Sequence, residues 1–204
     1  MAPRLTPERR RELTREALLD AATTVFAREG YGAGTLEEIA DAAGFTTGAI
    51  YSNFGNKQEL FLAVIARRNA RLLDAYRQKL DERAGPVADL GDVAQVWTEH
   101  ELGDRDALML TLEIRLAALR DPQVGARVGE FERQTEQTIA QFVGNQIEAT
   151  DALQLPIAAD QFAALVYAAN QGIVQHAAIC STDHKELFQA FLGMLTLGMR
   201  ERRG

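Results

Sequence analysis

A chain of 204 residues, 47% of them apolar, can bury the cores of one small and one larger domain. Its formal net charge of −7 excludes a protein that coats nucleic acid by bulk electrostatics, so any contact with DNA must be local and geometric. The single cysteine, Cys180, excludes an internal disulfide and a multi-thiolate metal site and is expected to pack. No apolar run approaches the ~20 residues of a membrane span and no signal-peptide core is present, so a cytoplasmic location is expected.

Thr6-Pro7-Glu8 marks a helix start with proline in its first turn, and Leu13, Ala17, Leu18, Ala21, Ala22, Val25 and Phe26 carry an apolar face on to Gly30. The first fifteen residues hold Arg4, Arg9, Arg10, Arg11 and Arg15 against two glutamates, either as a phosphate-contacting end or as a solvated tail. Thr35 and Glu38 have the spacing of a capping box, which predicts a helix from Leu36 with Ile39, Ala40 and Ala43 on its apolar face. Gly44 stands where that helix must stop in a left-handed conformation. Phe45 is expected to anchor the turn in the core together with Ile50 and Phe54, and Thr46 or Thr47 to cap the next helix. That helix would turn Thr47, Gly48, Ala49, Tyr51 and Ser52 outward. From Ala42 through Gln58 there is no Asp or Glu, so nothing there repels phosphate, and the short side chains allow close approach to a major-groove edge.

Asn56 should cap a long helix from 57 to about 83, which ends before Gly85-Pro86. Further helices are predicted near 87–102, 104–120, 122–149, 158–180 and 183–202, with Asp121-Pro122 as a cap and first turn and 151–157 as a loop. Gly125, Gly129 and Gly144 each weaken the third of these by up to ~1 kcal/mol relative to alanine, which admits a bend or an interruption. No strand-like alternation appears, so the fold class is all-α. The last two helices carry more apolar faces than one bundle needs, and Gly172, Gly193 and Gly198 permit close helix approach. Trp97 and His100 continue the Leu90 and Val93 stripe inward. Glu113, Asn170 and His176 sit in apolar stretches, where each needs a partner from backbone, a second copy or a ligand.

Catalysis finds no support. The residues three before His100, His176 and His184 are Trp97, Ile173 and Ser181, so no Glu-x-x-His di-metal pair exists. Gly-rich phosphate loops, a Gly-x-Ser-x-Gly elbow and Cys/His clusters are also missing, and no metal or cofactor is expected.

The run from Arg15 to Leu62 contains FAREGYGAGTLEEIADAAG and TTGAIYSNFGNKQELF, with Tyr51, Phe54, Lys57 and Leu60 in a YxxFxxKxxL spacing. It resembles the N-terminal domain of the TetR family of transcriptional regulators, closely over about a quarter of the chain. The resemblance implies a three-helix helix-turn-helix DNA-binding domain over 1–57 (motif 35–54) and a larger helical effector-binding and dimerisation domain over 58–204. It places the helix from Thr46 to Asn53 in the major groove, with Thr47, Gly48 and Ala49 nearest the base edges and Thr35, Tyr51 and Lys57 on phosphates. Gly48-Ala49 offers few hydrogen-bond donors, so base readout would rest on Thr46, Thr47, Ser52 and DNA shape.

The plainer alternatives are a packed Tyr51 with its hydroxyl in water and a solvated Lys57. The second sits poorly with a cation in the first turn of a helix. The resemblance also implies a homodimer through the last two helices on a palindromic operator, with half-sites ~34 Å apart. A pocket in the larger domain would hold a small apolar or aromatic effector, with Trp97, His100, Glu113, Asn170 and His176 as its candidate lining. The expectation is a repressor released from DNA by that effector; the alternative is a helical ligand- or partner-binding protein without sequence-specific DNA binding.

Overall fold

The computed structural model describes residues 6–82, 105–150 and 157–200, and these contain helices and turns but no strand. Thr6 caps α1 (Pro7–Ala33) by accepting the Arg9 N–H at 3.2 Å. Gly30 interrupts the helix at φ +82°, ψ 160°, and one further turn leads to α2 (Leu36–Ala43). The capping box forms as predicted. The Thr35 hydroxyl accepts from Glu38 N at 3.2 Å, and the Glu38 carboxylate accepts from Thr35 N at 2.8 Å.

Gly44 ends α2 at φ +73°, and α3 (Thr47–Phe54) follows. One expectation fails at this turn and another is met in position only. Phe45 is 38% exposed, because the turn is closed by backbone bonds from Gly44 N to Asp41 O and from Phe45 N to Ala40 O, not by the ring. Thr46 is the N-cap residue of α3, yet its hydroxyl makes no capping bond.

Asn56 Oδ1 accepts from Glu59 N at 2.9 Å and starts α4 (Lys57–Glu82). Next come α5 (Arg105–Arg120) and α6 (Pro122–Thr150), separated by Asp121, whose carboxylate caps Gln123 N and Val124 N. Helix α6 runs without interruption through its three glycines. At Gly125 a side chain would lie 2.6 Å from the Ala118 carbonyl, so glycine lets α6 pack onto α5. Helix α7 (Ala159–Cys180) stops at Ser181, and α8 (His184–Arg200) starts on an Asp183 cap. Cys180 is exposed at the end of α7, contrary to the expectation that it packs.

The described residues form two compact units, one of 6–69 and 105–128, the other of 70–82, 129–150 and 157–200. The first buries Leu18, Phe26, Ile39, Ile50, Leu60, Phe61 and Val64 together with Leu110 and Val124. In it Arg67 joins α4 to α1 through Glu16, Asp20 and Thr23, three side chains spaced along one face of α1. The second is built on Leu72, Ile139, Phe162, Val166, Tyr167, Phe188 and Leu192. Among the described residues no helix is long and apolar enough to cross a membrane.

Candidate nucleic-acid interface

Burial of Ile50 and Phe54 fixes the rotation of α3 and leaves its other face outside. Tyr51 is 57% exposed, Thr46, Gly48 and Ser52 are exposed, and Thr47 and Ala49 are half-buried. A side chain at Gly48 would meet nothing closer than the Thr46 hydroxyl at 3.6 Å. The fold therefore does not require glycine there, although glycine costs a helix roughly 0.5–1 kcal/mol relative to alanine.

The donors on this face are few. Ser52 Oγ and Asn53 Nδ2 both donate to the Ala49 carbonyl, at 3.0 and 2.8 Å. Asn53 is not part of the outward set. It is half-buried on the side facing α1, where Arg15 donates to its backbone carbonyl at 3.1 Å.

Thr35 is exposed at the start of α2. Lys57 is half-buried, with Nζ donating to Gly32 O at 3.1 Å and lying 5.1 Å from the centre of the Tyr31 ring. Burial lowers its pKa, partly offset by the Glu38 carboxylate. A cation in the first turn of a helix is thus accommodated by a carbonyl and a ring face, and Lys57 holds the α1–α2 turn. Burial, and then the negative charge of Asp121, raises the Tyr31 pKa.

Hydrogen bonds from the Thr35 backbone and hydroxyl hold the Glu38 pKa below its ordinary value. A carboxyl depressed in the folded state contributes stability above the unfolded pKa of about 4.3, and loses that contribution as pH falls through the lower folded value. Glu38→Gln is therefore expected to lower the melting temperature near neutral pH, by a margin that shrinks below about pH 4. A margin independent of pH would show that ionisation of Glu38 contributes nothing.

The candidate effector residues are not brought together. Trp97 and His100 lie outside the described residues. Glu113 belongs to the first unit, where its carboxylate accepts the Tyr31 N–H at 3.0 Å, so its polar group is satisfied by backbone. His176 is exposed, with Nδ1 3.7 Å from Cys180 Sγ, and is not enclosed within the chain. Asn170 is buried on α7 and its Nδ2 finds no partner among the described residues. Gln171 beside it, which sequence reasoning missed, likewise buries an unpaired Oε1. A polar pair inside an otherwise apolar helix face was the available signal.

Residues 18–64 match the family model of bacterial regulatory proteins of the tetR family. The transcriptional activator FasR of Mycolicibacterium smegmatis is 43% identical over 118 residues, covering 58% of this chain and 53% of that protein. The transcriptional repressor KstR2 of the same organism is 36% identical over 76 residues, 37% of each chain. The matched stretches thus span about half or less of these relatives' own length. The fold is similar to that of the fatty acid degradation regulator FadR from Bacillus halodurans, with a TM-score of 0.79 and 18% identity over 97% of this chain and 99% of that one.

Proposed function

We propose that this chain, which belongs to the TetR family of bacterial regulatory proteins, is a dimeric repressor that binds a palindromic operator and is released by a small apolar or aromatic effector. Its family and fold are those of DNA-binding transcription regulators and not of enzymes. The observation that carries the reading is α3, an exposed helix without a carboxylate and with a glycine at 48 that the fold itself does not require. On this reading Thr46, Thr47, Gly48, Ala49 and Ser52 face the base edges, while Thr35, Tyr51 and Lys57 meet phosphates. Asn53 acts from the other side by anchoring α3 on α1.

Dimerisation is assigned to the last two helices. Leu165, Ile179, Leu187 and Met194 are exposed on α7 and α8, with Ile179 84% exposed, and a second copy would remove this apolar surface from water. Effector binding is assigned to the larger domain over 58–204, with the Asn170 Nδ2 and Gln171 Oε1 atoms as buried polar groups there that lack partners among the described residues. An effector that favours a displaced α4 would change the spacing of the two recognition helices and weaken operator binding.

The test is selection and sequencing of genomic fragments bound by the purified protein, beside Tyr51→Ala and Lys57→Ala. A palindromic sequence should be recovered. Tyr51→Ala should weaken binding about tenfold or more, the worth of a hydrogen bond to a charged group. No enrichment at low salt would shift the reading to a helical partner-binding protein.

A further inference from the structure

Helix α3 lacks the side chains that read bases most strongly. In the major groove guanine is clamped by two-pronged contacts from arginine or lysine, and adenine by those from asparagine or glutamine. None of these four residue types occurs from Thr46 to Ser52. The amides that follow no longer offer both prongs. Asn53 Nδ2 donates to Ala49 O at 2.8 Å on the side of α3 turned toward α1, and Asn56 Oδ1 accepts from Glu59 N. Gln58 Nε2 donates to Asp121 and to Gln123, at 3.3 Å each, and Lys57 Nζ to Gly32 O at 3.1 Å.

What α3 does present is small and largely apolar. Ser52 donates its one O–H to Ala49 O at 3.0 Å. The methyl groups of Thr47 and Ala49 remain, on residues that are half-buried and so fixed by the fold. Gly48 stands bare between them, with open space where a side chain would be except for the Thr46 hydroxyl at 3.6 Å. The apolar group that a base pair presents in the major groove is the C5-methyl of thymine, which alanine and the threonine methyl contact.

We infer that α3 reads its operator through thymine C5-methyl groups, with Thr47 and Ala49 packing on them beside the bare Gly48, and holds no clamp for guanine. The inference rests on the DNA-binding reading above, which assigned residues to base edges, and adds the chemical feature of the bases that they recognise. A·T pairs are thus selected at the positions under α3. Burying one methyl group is worth about fourfold in affinity, and the two copies in a palindrome about fifteenfold.

The experiment takes the sequence recovered by selection and measures binding of the full-length protein to it by fluorescence anisotropy. Symmetry-related thymines are replaced, one pair at a time, by deoxyuridine, which removes the methyl and keeps the base pair. At one or two positions affinity should fall about fifteenfold. Replacing the guanines by 7-deazaguanine, which removes the N7 acceptor, should cost less than the ~fivefold that even a weak two-pronged contact is worth. Thr47→Ser and Ala49→Gly each delete one methyl from the protein. In at least one of them the deoxyuridine penalty should shrink to about fourfold or less, because the thymine methyl has already lost its neighbour. Melting temperatures measured alongside show that both variants fold.

A recovered sequence on which deoxyuridine is neutral at every position overturns methyl readout while DNA binding stands. So does a deoxyuridine penalty that neither variant reduces, or a 7-deazaguanine loss of ~fivefold or more. Failure to recover any preferred sequence overturns both readings.

Discussion

Phe61→Ala is expected to destabilise the first unit by about 3–5 kcal/mol, the cost of emptying a phenylalanine site that its neighbours cannot refill. Phe61 is 0% exposed. Its ring meets Phe26 edge-on at 5.1 Å and stacks on Tyr31 at 4.2 Å, while Phe26 and Tyr31 meet at 5.8 Å. Each such pair adds about 0.5–1.5 kcal/mol beyond the burial of its area. The loss is large against the ~5–15 kcal/mol that holds a whole domain folded.

The trio also has a position that matters for binding. The centre of the Tyr31 ring also lies 5.1 Å from Lys57 Nζ, and Lys57 in turn donates to Gly32 O in the turn that delivers Thr35. Phe61→Ala should therefore loosen the Thr35–Lys57 end, proposed above to meet phosphates, along with the core. Urea unfolding followed by circular dichroism measures the first effect. Leu119→Ala, at an 87% exposed site, is the control expected to change stability by no more than ~0.5 kcal/mol. A loss below ~1 kcal/mol for Phe61→Ala would mean that the aromatic trio is not the centre of the unit.

What was legible in the sequence is what local chemistry decides. The capping box at Thr35 and Glu38, the glycine stop at Gly44, the Asn56 cap and the start of α6 at Pro122 each need only a few adjacent residues, and each is present. Phe45 stays 38% exposed despite its apolar ring, since two backbone bonds close the turn without it. The less legible features join distant residues. Glu113 reads as an isolated carboxylate in an apolar helix until Tyr31, 82 positions away, supplies its N–H donor. Arg15 reads as one of five arginines until α3 brings Phe54 beneath it. Lys57 reads as a cation in an unfavourable first turn until Gly32, 25 positions earlier, offers a carbonyl. In these three cases the sequence shows an unsatisfied group, and only the folded chain shows what satisfies it.

Gly30→Ala is expected to cost about 1–3 kcal/mol from backbone strain alone, since φ +82° with ψ 160° belongs to a region that only glycine enters freely. A second penalty is steric. A Cβ at position 30 would lie 3.0–3.1 Å from the Glu113 carboxylate, which reaches from α5 to accept the Tyr31 N–H that the break in α1 leaves free. The two contributions separate in a double-mutant cycle. Glu113→Ala by itself should cost about 1–3 kcal/mol by orphaning that N–H. Once Glu113 is alanine, Gly30→Ala should bear the strain but not the clash, so the double variant should be less destabilised than the sum by ~0.5–3 kcal/mol. Strict additivity would mean that the carboxylate yields freely, and a neutral Gly30→Ala would mean that the chain does not turn here in the left-handed region. Gly30 also accepts the Gly34 N–H through its carbonyl at 3.0 Å, so the break sets the direction in which the chain enters α2. Thr35 stands at that entry and Lys57 grips Gly32 within the same turn. A substitution at Gly30, which lies outside α2 and α3, should thus weaken DNA binding by misplacing both while leaving the α3 face unaltered.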